Sequence, residues 1–169
     1  SDGGTPAISD PGAMLVEAAL ADGITVLPVP GPSAPATLLS ASGLPADRFV
    51  FDGFLPHRGG DRRKRLRELA GEPRTVVLLE SPHRIREALA DIRDLLGNRT
   101  VVLGRELTKL HETIVRGSAQ EVLAALGDEE VRGEITLALA GAADAAAGSP
   151  LSSRETEIRD AWREELDRC

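Results

Sequence analysis

At 169 residues the chain can bury one good core, or one domain and part of another. A formal net charge of −7 excludes nonspecific attachment to nucleic acid by the whole surface, which needs many phosphate-neutralising cations. The single cysteine, Cys169, excludes an internal disulfide framework and fits a reducing cytoplasm, and no apolar run approaches the roughly 18 residues of a membrane span.

Residues 1–12 read Ser-Asp-Gly-Gly-Thr-Pro-Ala-Ile-Ser-Asp-Pro-Gly, small residues and hydrogen-bonding side chains of the kind that let backbone lie against a ligand. Asp10-Pro11 reads as the N-cap and first residue of a helix that runs to residue 21 and ends at Gly23. Residues 24–29 form a short β-branched strand bounded by prolines, and the rigid stretch 28–32 is a natural domain junction. A helix over 34–42 closes at Gly43, with Pro35 tolerated in its first turn. A strand over 49–54 follows. Between Arg58 and Arg67 stand six cations and one anion, a formal +5. Residues 62–70 read as a basic helix, and Gly59-Gly60 as a hinge that lets the segment reach for phosphate; a solvated helix face is the alternative. A buried strand over 75–79 leads into Glu80-Ser81-Pro82-His83-Arg84, where Ser81-Pro82 suits an N-cap and first helical position. Apolar residues at 85, 89, 92 and 96 have helical spacing. Strands over 100–103, 112–116 and 134–140 and a helix over 119–126 complete an alternating pattern, which implies an α/β domain with a parallel or mixed sheet. Residues 142–149 read as an Ala-rich linker and 153–167 as a charged helix.

The loop at 1–12, Pro30-Gly31-Pro32-Ser33 and Glu80-Ser81-Pro82-His83-Arg84, in this order and spacing, resemble the tetrapyrrole methylase superfamily. Within it they are most similar to the branch that methylates a ribose 2′-hydroxyl, in a cytidine, of small-subunit ribosomal RNA. Residues 40–44, 51–56 and 105–109 and Gly133-Glu134 extend the resemblance over about residues 1–141. It implies that 1–29 is the end of an N-terminal α/β domain, that 30–141 is a C-terminal α/β methylase domain, and that 142–169 is linker and tail. An N-terminally truncated chain is the corresponding expectation.

The resemblance further implies S-adenosyl-L-methionine held between two domains by Asp2, Gly3, Gly4, Thr5, Ile8, Ser33, Ala34, Leu79, Glu80, Ser81, Arg105 and Glu134. The expected partners are small-subunit ribosomal RNA and a second copy of the chain, in the cytoplasm, with no metal and no membrane. For the acceptor proton, His83 is the first candidate base, with Glu106 and Lys109 behind it; a histidine that only orients a loop is the alternative reading. Arg58, Arg62, Arg63, Lys64, Arg65 and Arg84 are the expected RNA contacts. Two positions depart from the family pattern, Gly3 where alanine is usual and Ala140 where an acidic residue is frequent. The rival readings are a methylase of corrin-type tetrapyrroles and a noncatalytic RNA-binding or dimerisation module. A corrin substrate gives no reason for a cationic arm.

Overall fold

The computed structural model describes residues 4–143. Asp2 and Gly3, together with the tail helix read over 153–167, lie outside the described residues. One sheet contains β1 (Phe49–Phe54), β2 (Thr75–Glu80), β3 (Thr100–Arg105), β4 (Thr113–Ser118) and β5 (Ile135–Leu139), in the order β1-β2-β5-β3-β4. β1 and β2 are parallel, whereas β5 lies antiparallel between β2 and β3, and β4 is antiparallel to β3. The sheet is therefore mixed, and the α/β fold class read from the alternating pattern holds.

Strand alternation splits the core into two layers. Val76 and Leu78 of β2 and Leu137 and Leu139 of β5 join Leu66, Ile85, Leu89, Ile92 and Val122 on one face. These come from α3 (Gly59–Leu69), α4 (Ile85–Leu96) and α5 (Ala119–Ala125). Val77, Val102, Ala138 and Ala140 face the other way, against Leu38, Leu39 and Leu44 in and just after α2 (Ala34–Ser42). Small residues on that face let α2 come close: a Cβ on Gly104 would sit 2.8 Å from Leu38 Cδ1. Gly43 takes φ 75° and ends α2, as its position in the sequence predicts.

Four local readings are corrected by the fold. Residues 24–29 form no strand, since every ladder of the described residues lies among β1 to β5. β-branched residues supply the propensity, but a strand also needs a neighbour to take its N–H and C=O groups. The helix after the first loop, α1 (Ala13–Ala21), starts after Gly12 rather than at Pro11. Ser81-Pro82 belongs to a turn, closed by the Arg84 N–H on Ser81 O at 3.1 Å, and α4 begins only at Ile85. Gly59 and Gly60 are the first two residues of α3 rather than a hinge.

The basic helix α3 is held by acids. Arg62, 4% exposed, donates through Nε to Asp91 Oδ2 of α4 at 2.7 Å and through Nη2 to Glu87 Oε2 at 3.2 Å. Arg63 pairs with the other oxygen of Asp91. Arg65 reaches Asp52 of β1 and Glu68 of its own helix. Arg62 is thus buried and ion-paired, which corrects its reading as an RNA contact, whereas Arg63 and Arg65 are ion-paired with side chains 36% and 39% exposed. Burial alone raises the Asp91 carboxyl, but the hydrogen bonds from Arg62 and Arg63 outweigh it and hold the group below its ordinary value. A depressed folded value means that this stabilisation is complete above the unfolded carboxyl's roughly 3.9 and is lost as pH falls through the folded value. Asp91→Asn is expected to lower stability by about 2–4 kcal/mol at neutral pH, because it leaves the buried Arg62 guanidinium with only the exposed Glu87 as counter-charge. Urea unfolding checks it, and the variant should also lose part of the parent's acid-side loss of stability.

Candidate functional site

Antiparallel β5 starts where β2 and β3 finish: Ile135 is paired with both Glu80 and Arg105. The carboxyl ends of β1, β2 and β3 and the entry to β5 therefore meet along one edge. Helix starts and strand ends at such an edge leave backbone groups available to a ligand. A cleft of about 420 Å³ opens there. It is walled by the loop from Gly4 to Asp10, the start of α2, the ends of β1 and β2, the 107–109 turn and the segment entering β5.

The loop is fastened across the cleft by backbone. Thr5 N–H donates to Pro32 O at 3.0 Å, and Gly4, at φ 71°, brings its Cα so near that a Cβ would lie 2.9 Å from the same oxygen. Ala7 and Ser9 also take positive φ, 69° and 55°, an unusual conformation for residues with a Cβ. The segment 30–33 read as a junction is thus one jaw of the cleft, and the loop it holds is the other.

Of the residues expected to hold a cofactor, Gly4, Thr5, Ile8, Ser33, Ala34, Leu79 and Glu134 line this cleft. Glu80, Ser81 and Arg105 do not. Glu80 is 2% exposed and pairs with Arg84 Nη2 at 2.6 Å, while its Oε1 also accepts the Ser81 N–H at 2.7 Å. Arg84 donates as well to Leu55 O at 3.3 Å. This pair staples the turn after β2 to the end of β1, so both members have structural work where ligand contacts were expected. His83 is exposed on that turn, outside the cleft wall. The wall also contains Phe51 and Phe54 of the 51–56 motif, Leu107 and Thr108 of the 105–109 motif, and Thr136, none of which is among the residues expected to hold the cofactor. Asp10, which reads as a helix cap, lines the cleft, and Gly12 takes the N-cap position of α1.

Glu106 and Lys109 tether the turn after β3 to the segment entering β5. Glu106 Oε1 accepts the Glu134 N–H at 2.8 Å and the Lys109 ammonium at 3.0 Å, and Glu134 Oε2 lies 3.2 Å from the same ammonium. The Glu134 N–H, helped by Lys109, holds the Glu106 carboxyl below its ordinary value. Hydrogen bonds to Glu106 and Glu134 hold Lys109 above its own. At neutral pH a depressed carboxylate and a raised ammonium are both poor proton acceptors. Gly133, at φ 90°, is needed here, since a Cβ would stand 2.5 Å from Glu106 Cγ.

The family model described as Tetrapyrrole (Corrin/Porphyrin) Methylases matches residues 1–123. A Xylella fastidiosa protein named Ribosomal RNA small subunit methyltransferase I is 50% identical over 147 residues, covering 85% of this chain and 54% of that protein. A Mycobacterium bovis protein of the same name is 48% identical over 170 residues, covering 100% of this chain and 59% of the relative. The chain thus spans about half the length of the curated relatives it matches. Among solved structures, the methyltransferase CobJ superposes with TM-score 0.60 at 19% identity, covering 82% of this chain and 62% of the other. Uroporphyrin-III C-methyl transferase from Thermus thermophilus, complexed with S-adenyl homocysteine, superposes with TM-score 0.53 at 28% identity, covering 81% and 62%.

Proposed function

The chain belongs to the tetrapyrrole methylase family, and on that premise we propose that it forms the cofactor and acceptor cleft of a methyltransferase acting on small-subunit ribosomal RNA. The observation that carries this reading is the cleft itself, whose wall contains Gly4, Thr5 and Ser33 from two of the motifs that carry the family resemblance and Leu79 immediately before the third. Identities of 50% and 48% to proteins named for ribosomal RNA favour that substrate over a tetrapyrrole, because CobJ and the uroporphyrin-III C-methyl transferase are similar at 19% and 28%. The expected acceptor is the 2′-hydroxyl of a cytidine. The enzyme would work in the cytoplasm, where that RNA is found; no helix of the described residues is long and apolar enough to cross a membrane.

The residues present fit S-adenosyl-L-methionine. About 420 Å³ falls within the roughly 300–1,000 Å³ of small-molecule sites. Backbone at Gly4 and the hydroxyls of Thr5 and Ser33 suit the polar edges of the ligand, Ile8, Ala34 and Leu79 its apolar surface, and the Glu134 carboxylate its positive charge. When bound, the cofactor supplies a methyl carbon on a sulfonium, which an in-line oxygen takes while sulfur keeps the electron pair. The protein's share is to orient the acceptor oxygen and exclude water. Of the three groups expected to accept the hydroxyl proton, Glu106 and Lys109 are hydrogen-bonded to one another, and His83 is exposed on the turn after β2, outside the cleft wall.

RNA contact then falls to cations that the fold leaves unspent. Arg58, Lys64 and Arg67 are exposed on or beside α3 and make no ion pair among the described residues. A second copy of the protein is the other partner that the family resemblance implies.

Three outcomes are expected of the full-length protein. Gly4→Val should abolish S-adenosylmethionine binding by calorimetry, because a β-branched side chain is both strained at φ 71° and driven into Pro32 O. Replacing Arg58, Lys64 and Arg67 with Ala should reduce the log–log salt slope of small-subunit binding by roughly 2 to 3, at about 0.7–0.9 per phosphate contact, while cofactor affinity stays as it was. Light scattering should return twice the monomer mass, and a clean monomer would remove the second copy.

A further inference from the structure

An irregularity in β1 decides which way its last residue points. Phe51 is opposite Val77 of β2, Gly53 is opposite Leu78 and Phe54 is opposite Leu79, so Asp52 is the extra residue of a bulge. In an unbroken strand Phe54, three residues after Phe51, would face the other side of the sheet, toward α3 and α4. The bulge returns it to the face of Phe51 and Val77, and both phenylalanines line the cleft. Phe51 packs against the core layer around Val77, whereas Phe54 keeps 52% of its surface exposed. Two features hold the bulge. Gly53 takes φ 66°, where a side chain would be strained, and a Cβ there would lie 3.0 Å from Ser9 Oγ of the first loop. Asp52 turns to the α3 side, where Arg65 donates to both of its oxygens, from Nε to Oδ2 at 2.9 Å.

We propose that Phe54, aimed by this bulge, is the platform in the cleft on which a nucleobase stacks, and that Asp52 and Arg65 position it. This deepens, and rests on, the reading of the chain as an RNA methyltransferase that uses S-adenosyl-L-methionine. Both ligands of that reaction bring a flat π-face, the adenine of the cofactor or a base of the RNA. A half-exposed aromatic ring on a cleft wall matches such a face and has nothing to offer a phosphate or a sugar hydroxyl. The detour in β1 gives the ring no place in either core layer, which leaves ligand contact as what it serves. Arg65 thereby acts on the cleft from the opposite face of the sheet: its guanidinium fixes the displaced Asp52, and the fixed bulge fixes the direction of the ring.

The test uses the full-length protein, with S-adenosylmethionine binding read by calorimetry, small-subunit binding read by filter retention, and thermal melts confirming that each variant folds. Phe54→Leu keeps an apolar side chain and removes the π-face. It should weaken one of the two ligands about tenfold, and Phe54→Tyr should keep the parent's affinity for it. A loss confined to the cofactor identifies the stacked base as adenine, and a loss confined to the subunit identifies it as a base of the RNA. Asp52→Asn should weaken that same ligand roughly threefold and add nothing in the Phe54→Leu background, because a residue that acts through the ring has no effect once the ring is gone. Parent-like binding of both ligands by Phe54→Leu would overturn the proposal, as would Phe54→Tyr binding no better than Phe54→Leu. An Asp52→Asn loss of equal size in both backgrounds would overturn the positioning role of Asp52 and Arg65. A parent that binds neither ligand would instead sink the reading as a methyltransferase, and the platform with it, whereas a binding parent matched by Phe54→Leu removes the platform alone.

Discussion

The antiparallel entry of β5 between two strands that run the other way is the constraint on which the site depends. Ile135 is opposite both Glu80 and Arg105, so Glu134 is delivered to the place where β2 and β3 leave the sheet. Were β5 parallel to its neighbours, Gly133-Glu134 would lie at the opposite edge, and the tether from Glu106 to Glu134 could not form. The same arrangement buries all five residues of β5 on both faces. That central burial gives the sheet a rigid spine behind a cleft whose walls combine loops with the start of α2 and the strand ends, so that the loops are positioned by a fixed scaffold.

Close approach of backbone is the second theme. Gly104, Ala138 and Ala140 thin one face of the sheet so that α2 can settle on it, and the start of α2 is a wall of the cleft. Gly4 does the equivalent for the first loop, against Pro32 O. A larger side chain at either place would move a wall of the site without touching any ligand.

Charge is distributed in a way that a count of residues conceals. The run from Arg58 to Arg67 is strongly cationic in sequence, yet Arg62, Arg63 and Arg65 are neutralised by Asp91, Glu87, Asp52 and Glu68 from three elements. The local field available to an RNA is therefore weaker and differently placed than the sequence suggests, centred on Arg58, Lys64 and Arg67. Glu80 and Arg84 repeat the lesson at the end of β2: two residues that look like ligand contacts serve to hold a turn.

Much of the fold is legible in the chain because it rests on short-range patterning. The β-branched run at 75–79, the helical spacing from 85 to 96 and the glycine after residue 42 each act through neighbours in sequence, and each element stands where that pattern puts it. The motif residues Gly4, Thr5, Ile8, Ser33, Ala34, Leu79 and Glu134 were legible as a group, and the fold brings them to one cleft. What the chain alone left undecided is everything that needs a partner distant in sequence. Residues 24–29 have strand propensity without a neighbouring strand in the sheet. Asp10 reads as a helix cap, yet it lines a cleft completed by β1 and α2. The arginines of α3 read as free cations until α4 and β1 bring acids to them. Propensity is decided within a few residues, whereas ladder pairing, charge neutralisation and the walls of a cavity are decided by which surfaces the closed sheet sets face to face.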